Sequence, residues 1–177
     1  DSDYSQIELR VLAHMADDKN MIDAFFHGDD IHAITASQIE GVPLSEVTQK
    51  MRSDAKAVNF GIVYGKGAYS LSEDLGISVK EAENYINAYL TRYSGVKKFM
   101  ADTITNAKET GYTKTVYGRR REIIELKSPN YSVRQSGERM AMNMPIQGTA
   151  ADIMKLAMVK VYRRLRAEAL NPELFYR

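Results

Sequence analysis

Two cations and two aromatic residues recur at every fourth position in the middle of this chain. They are Arg52, Lys56, Phe60 and Tyr64. Each four-residue step along an α-helix turns by about 40°, so the first three share a face and Tyr64 lies further round. Arg and Lys side chains bind polyphosphates, and aromatic rings stack on sugars and bases. The spacing predicts a helix that receives a nucleoside triphosphate, although solvated cations above packed rings give the same pattern.

A second candidate group stands at the beginning of the sequence. Ser5 and Glu8 fit a capping box, which would start a helix whose apolar positions follow at helical spacing. Asp3 would lie just before that helix, where a carboxylate can hold Mg²⁺ while free N–H groups receive phosphate oxygens. A capping or turn role explains the same aspartate.

Three polar residues at i+4 spacing mark a later helical stretch. Arg139, Asn143 and Gln147 surround Pro145. Asn and Gln both donate and accept hydrogen bonds, which suits base edges and the minor groove, but they would also satisfy backbone groups released by a proline bend. The arginines at 119–121 suit a nucleic-acid backbone or a solvated hairpin.

His32 has no partner that the sequence identifies, and a lone histidine fits packing as well as function. The paired aspartates at 17–18 and 29–30 are expected to be turn and N-cap residues.

A mostly helical scaffold is expected to position these groups. The predicted helices cover about 20–26, 30–39, 49–64, 79–92 and 95–111. A second capping box stands at 78–81. Residues 112–124 change period and predict a β-hairpin. Beyond Pro129 a long helix is expected to about Leu170, bent near Pro145. The fold class is mainly α, formally α+β.

Charge is divided along the chain. Residues 1–50 hold ten acidic and three basic side chains, and residues 51–177 hold thirteen and twenty-one. Such a division is expected if an acidic element holds metal while a basic one faces phosphate, although ordinary solvated faces also cluster by chance. With no cysteine and no apolar run of membrane length, a cytoplasmic protein is the expectation.

Three segments resemble successive motifs of family A DNA polymerases, the bacterial DNA polymerase I group. They are DYSQIELR at 3–10, RSDAKAVNFGIVYG at 52–65 and ERMAMNMPIQGTAAD at 138–152. The likeness extends to about Leu165. It implies three parts of a polymerase: a palm segment with the first catalytic motif at 1–16, a helical fingers subdomain at 17–128 with the nucleotide-binding helix 49–64 and hairpin 112–124, and a palm-side helix at 129–177.

The resemblance also implies roles for matching positions. Asp3 and Lys56 would be catalytic, and Asp3 with the Tyr4 carbonyl would hold two Mg²⁺ ions. Glu8 matches the steric gate that excludes a ribose 2′-hydroxyl. The implied nucleotide-binding residues are Tyr4, Gln6, Glu8, His32, Arg52, Lys56, Phe60 and Tyr64. The implied DNA-binding residues are Tyr64, Arg139, Asn143 and Gln147. Primer–template DNA and dNTPs are the implied partners, and no protein partner is indicated.

The chain also departs from the family pattern. The third motif, a His-Asp-Glu with the second metal-binding carboxylate, does not occur in the sequence. Gly67 stands where several relatives carry Ser, so a template contact there is not expected. The chain is therefore expected to be an excised fragment that does not polymerise DNA by itself. The alternatives are a non-catalytic nucleotide- or nucleic-acid-binding helical module and a purely structural helical domain.

Overall fold

Helices dominate the structure, as the sequence predicts. A computed structural model describes residues 4–168. Its helices are α1 (Ile7–Ala16), α2 (Lys19–His27), α3 (Ile31–Glu40), α4 (Gln49–Val63), α5 (Ala68–Leu75), α6 (Val79–Arg92), α7 (Ser94–Thr110) and α8 (Tyr131–Ala167). Strands β1 (Tyr112–Lys114) and β2 (Arg120–Glu122) pair antiparallel, and 3₁₀ turns cover Leu44–Glu46 and Ile124–Lys127. The predicted fold class is confirmed. Within the described range no helix is both long and apolar enough to cross a bilayer.

Side-chain caps fix where most of these helices begin. Asp18, Asp30, Thr48 and Asn130 accept hydrogen bonds from first-turn N–H groups of α2, α3, α4 and α8. Residues 78–81 form the predicted capping box of α6. A cap of this kind is worth about 1 kcal/mol. The predicted N-cap roles of Asp18 and Asp30 are therefore confirmed.

The predicted capping box before α1 is wrong. The N-cap of α1 is Gln6, which has a left-handed φ of 55°, and no side-chain cap hydrogen bond forms there. The Ser5 side chain therefore does not cap the helix, and the Ser5 carbonyl accepts a bond from Arg10 Nε at 3.0 Å. Glu8 consequently does not reach back to cap the helix, and its carboxylate bonds to Tyr64 instead.

Helix α5 is an element that the sequence analysis did not predict. It begins directly after Gly67 and ends at Gly76, which has a φ of 67°. Eight residues rich in Ser, Glu and Asp give too short an apolar pattern to recognise, and a helix of this length depends on tertiary packing. Leu71, which is 1% exposed, supplies that packing.

A shared core holds both ends of the described range together. Its buried members include Leu9 of α1, Val58 of α4, Tyr89 of α6 and Ile146 of α8. Each fully buried side chain of this size stabilises the fold by about 1.5–3 kcal/mol. Helices α1, α4 and α8, which carry most of the predicted site residues, are thus fixed by the same packing.

Asp18 joins the α1–α2 corner to the start of α7. The carboxylate is buried, and its two oxygens accept bonds from the N–H groups of Met21 at 3.1 Å and Gly95 at 2.9 Å. A Cβ on Gly95 would lie 2.8 Å from the Ala16 carbonyl oxygen. The junction therefore requires glycine for close backbone packing.

Helix α8 carries the hairpin on its side. It runs for 37 residues with Pro145 in its interior. Proline lacks an N–H, so the Ala141 carbonyl loses its intrahelical donor while the helix continues. The hydroxyl of Thr149 accepts a bond from the hairpin N–H of Val116 at 3.0 Å. The predicted helix and hairpin are confirmed, the bend near Pro145 stays a prediction, and the predicted helix end at Leu170 lies outside the described residues.

Candidate functional site

The four residues of the predicted row lie in succession along α4. Arg52 is half-buried, Lys56 is exposed, and Phe60 is half-buried. Tyr64 is the C-cap of the helix and is 36% exposed. The rings of Phe60 and Tyr64 stack, with centroids 6.4 Å apart. Neither ring is sealed in the core, so the arrangement with both rings packed inside is wrong.

Asp30 holds Arg52 against the start of α3. Arg52 Nε donates to Asp30 Oδ2 at 2.6 Å, while Oδ1 accepts bonds from the N–H groups of His32 and Ala33 at 3.0 and 3.3 Å. Burial opposes ionisation of Asp30, but these hydrogen bonds outweigh it and lower its pKa. Within residues 4–168 the pair uses Nε, and the terminal guanidinium nitrogens have no protein partner.

His32 lies beneath the cations of the row. It is 2% exposed, and its Nδ1 is 3.0 Å from Nδ2 of Asn59. Burial lowers the pKa of His32, and the positive charges of Arg52 and Lys56 lower it further, against the raising effect of Asp30. These effects together favour the neutral imidazole.

Tyr64 connects α4 to α1. Its hydroxyl donates to Glu8 Oε2 at 3.1 Å. Burial raises the pKa of Tyr64, and the Glu8 carboxylate raises it further, while Gln147 acts in the opposite direction. The ring of Phe60 lies 6.0 Å from that of His32 and 6.4 Å from that of Tyr64. A line of rings therefore runs from the buried imidazole to the Glu8 carboxylate.

Gly65 brings the end of α4 against α8. Its φ is 64°, a left-handed conformation. A Cβ at this position would lie 2.6 Å from Met142 Cε and 3.1 Å from Arg139 Cγ. Glycine is required both for the conformation and for the approach. Tyr64 is thereby placed beside the polar face of α8.

The polar residues of α8 share a pocket with Tyr64. The pocket has a volume of about 700 Å³. Its lining comprises Tyr64, Arg119, Arg120, Arg121, Ser136, Arg139, Met140, Asn143, Met144, Gln147, Gly148 and Ala151. The structure thus brings together all four residues for which DNA binding is predicted, with the hairpin arginines at the same opening.

The hairpin arginines are partly occupied by contacts with the protein. Arg119 donates to Asp152 Oδ1 and to the Gly148 carbonyl, each at 2.9 Å. The guanidinium of Arg120 lies 4.7 Å from the centre of the Tyr112 ring. Arg119 therefore anchors the hairpin to α8. The sequence analysis considered only a nucleic-acid contact or a solvated hairpin for the arginines at 119–121.

The predicted metal site falls at the edge of the described range. Asp3, the predicted catalytic carboxylate, lies outside the described residues. Tyr4 is 48% exposed and Gln6 is the N-cap of α1. Among residues 4–168, no three Asp, Glu, His or Cys side chains are grouped to hold a metal ion. The Mg²⁺ site stays a prediction.

Sequence reasoning missed two supports of the row. Asp30 was predicted only as a turn or N-cap residue, without its bond to Arg52. Asn59, which is 0% exposed, was not predicted to have a role. Asn59 falls among the apolar positions Val58 and Ile62 that face the core. An amide within such a stretch must be hydrogen-bonded, which is the signal that could have identified it.

Comparison with known proteins adds an independent observation. The profile described as DNA polymerase family A matches residues 1–176. This chain belongs to DNA polymerase family A. The family A chain is 51% identical over 174 residues to DNA polymerase I of Caldicellulosiruptor bescii and 51% identical over 173 residues to that of Bacillus subtilis. Each comparison covers 98% of the chain and 20% of the relative, so the chain spans about a fifth of their length.

A solved structure resembles this family A chain closely. It is the POL domain of Pol1 from M. smegmatis, in complex with DNA primer-template and dNTP. The TM-score is 0.91 at 44% sequence identity, over 96% of this family A chain and 30% of the Pol1 chain.

Proposed function

We propose that this chain is the nucleotide- and template-binding part of a template-directed DNA polymerase, which adds dNTPs to a primer 3′ end. The observation that carries the proposal is the continuous row along α4. It begins with the cations Arg52 and Lys56, passes over Phe60, and ends at Tyr64 in the α8 pocket. The Pol1 structure, which contains primer-template and dNTP, supports this proposal by its similarity.

The triphosphate of the incoming dNTP would lie on the first half of the row. Arg52 offers its terminal guanidinium nitrogens, since Asp30 occupies Nε. Lys56 adds an exposed ammonium, and His32 adds an N–H donor from beneath. Charge-assisted bonds of this kind are stronger than neutral ones and position the phosphates. Lys56 stands nearest the rings of the row and would act on the reacting phosphate.

The nucleoside would lie on the second half. Phe60 presents a half-buried ring to the sugar and base. Glu8, fixed by the Tyr64 hydroxyl, would fill the space that a ribose 2′-hydroxyl needs, and so select deoxyribonucleotides. Gln6 and Tyr4 precede Glu8 and would complete this side of the pocket. Tyr64 separates the nucleotide from the α8 pocket, where Arg139, Asn143 and Gln147 would contact the primer–template.

Mg²⁺ belongs to this proposal through Asp3 and the Tyr4 carbonyl, both oxygen donors suited to a hard cation. When bound, paired Mg²⁺ ions would supply charge neutralisation for phosphoryl transfer. The proposed division of the chain is a palm segment at 1–16, fingers at 17–128 and a palm-side helix at 129–177.

We further propose that the 177 residues alone bind nucleotide without turnover. The family motif that supplies the second carboxylate is absent from the sequence. A primer-extension assay with the chain, four dNTPs and Mg²⁺ is expected to give no product. Any extended primer would contradict this part of the proposal.

The nucleotide-binding role is tested by titrating dATP against variants of one helix. Arg52→Ala and Lys56→Ala are each expected to weaken dATP binding by about tenfold or more, because each removes a bond to a charged group. Lys50→Ala is the matched control, since it removes an exposed cation from α4 that pairs with Asp54. Equal dATP affinities for the Lys50 and Lys56 variants would refute the phosphate role of the row.

A further inference from the structure

A buried polar cluster between α3 and α4 lies behind the proposed phosphate site. Its members are His32, Thr35 and Asn59, which are 2%, 2% and 0% exposed. Buried polar groups of this kind are costly unless each donor meets an acceptor. Their hydrogen atoms can therefore be assigned from the distances.

The assignment begins at Thr35. Its hydroxyl has one proton and lies 2.8 Å from the Ile31 carbonyl and 3.3 Å from Asn59 Oδ1. Both oxygens can only accept, and the shorter distance assigns the proton to the Ile31 carbonyl. The Thr35 oxygen is then left as an acceptor. It accepts from Asn59 Nδ2, which is 3.2 Å away.

The second proton of Asn59 Nδ2 points at His32. The distance from Nδ2 to Nδ1 of the imidazole is 3.0 Å. Exchanging the amide oxygen and nitrogen would leave Nδ2 3.3 Å from the Thr35 oxygen, but it would require the His32 ring proton to be on Nδ1. With Nδ2 in the position that the structure gives it, Nδ1 of His32 is the acceptor and the ring proton is on Nε2.

Nε2 of His32 remains available to a ligand. Among residues 4–168, Nε2 has no hydrogen-bond partner. The fully buried side-chain atoms that lack a partner there are Tyr89 Oη, Tyr93 Oη and Asp152 Oδ2, so Nε2 is not fully buried. The Nε2–H group of His32 can therefore donate a hydrogen bond to a ligand outside the core.

We propose that Asn59 is a positioning residue that locks the His32 imidazole in its neutral form, with Nδ1 accepting and the Nε2 proton presented to the triphosphate. This inference rests on the proposed nucleotide-binding function. The charged groups around His32 are Asp30, Arg52 and Lys56. A second ring proton would oppose the Nδ2 proton of Asn59, so this arrangement disfavours the imidazolium in spite of the nearby carboxylate.

Nitrogen NMR of the histidines tests the lock without any ligand. The chain has three histidines, so two-bond ¹H–¹⁵N spectra of the ¹⁵N-labelled protein resolve each ring. In the unsubstituted chain, His32 is expected to show an unprotonated Nδ1 and a protonated Nε2 at neutral pH. A protonated Nδ1 would overturn the inference.

Asn59→Asp exchanges the donor for an acceptor of the same shape. The expected result is a shift of the His32 Nδ1 resonance into the protonated range and a higher His32 pKa, with His14 and His27 unchanged. Asn106→Asp, which adds the same charge at an exposed position, is the control and is expected to leave all three rings unchanged. An unaltered His32 Nδ1 in a folded Asn59→Asp protein would overturn the proposal. If that variant does not fold, the unsubstituted spectrum decides.

Addition of dATP separates this inference from the proposed function. If the nucleotide site and the Asn59–His32 lock are both correct, dATP binding is expected to shift the His32 Nε2 resonance. If dATP leaves every resonance unchanged while Nδ1 is unprotonated, the nucleotide site fails and the lock stands. If dATP binds but Nδ1 carries the proton, the lock fails and the nucleotide site stands.

Discussion

Substitution of Gly65 by Ala measures how tightly α4 is packed against α8. Two costs are expected. An alanine at a φ of 64° is strained by about 1–2 kcal/mol. Its Cβ would also lie 2.6 Å from Met142 Cε and 3.1 Å from Arg139 Cγ. Because Met142 Cε is the flexible end of a side chain, the main steric cost falls on Arg139, and overpacking of this kind adds about 1–2 kcal/mol.

Gly76→Ala is the matched control for the backbone strain. Gly76 has a φ of 67°, and nothing lies within 4 Å of a Cβ built on it. The free energy of unfolding in urea is expected to fall by about 1–2 kcal/mol more for Gly65→Ala than for Gly76→Ala. The difference corresponds to about 2–8 °C in Tm for a chain of this size. Equal losses for the two variants would show that the α4–α8 approach is loose, and would refute the reasoning.

Three further results are expected. Asp30→Asn keeps a cap oxygen but removes the charge facing Arg52, an exposed pair worth about 0.2–1 kcal/mol. Because folding lowers the pKa of Asp30, this difference in unfolding free energy is present at neutral pH and disappears as the pH falls through and below 3.8; a constant difference would contradict it. Gly95→Ala places a Cβ 2.8 Å from a backbone carbonyl of α1 and is expected to cost about 1–3 kcal/mol in thermal unfolding, unlike Gly67→Ala, which has no neighbour within 4 Å. Burial raises the pKa of Tyr85 to about 12, so Tyr85→Phe is expected to remove a phenol that ionises near that pH in an alkaline absorbance titration, and loss of one that ionises near 10 would contradict it.

Long helices with polar caps were predictable because their signals are local. The capping box at 78–81 and the caps Asp18 and Asp30 depend on side chains that bond within their own first turn. The row along α4 was predictable for the same reason, since helical spacing places its members in succession. Their common surface therefore follows from the sequence.

The errors arose where distant residues decide the conformation. The sequence SQIE fits a capping box, but Gln6 adopts a left-handed turn and Glu8 bonds to Tyr64, 56 positions away. Helix α5 depends on the burial of Leu71. Contacts made by Asn59 and Asp30 across the α3–α4 interface could not be read from spacing, because they join residues more than 20 positions apart.

The two oxygens of Asp30 serve different partners. Oδ1 holds the first turn of α3, and Oδ2 holds Arg52. Under the proposed nucleotide-binding role, a phosphate that displaced Oδ2 from the guanidinium would break an exposed pair worth about 0.2–1 kcal/mol. The hydrogen bonds from Oδ1 to the first turn of α3, the helix that carries His32, would remain in place during such an exchange.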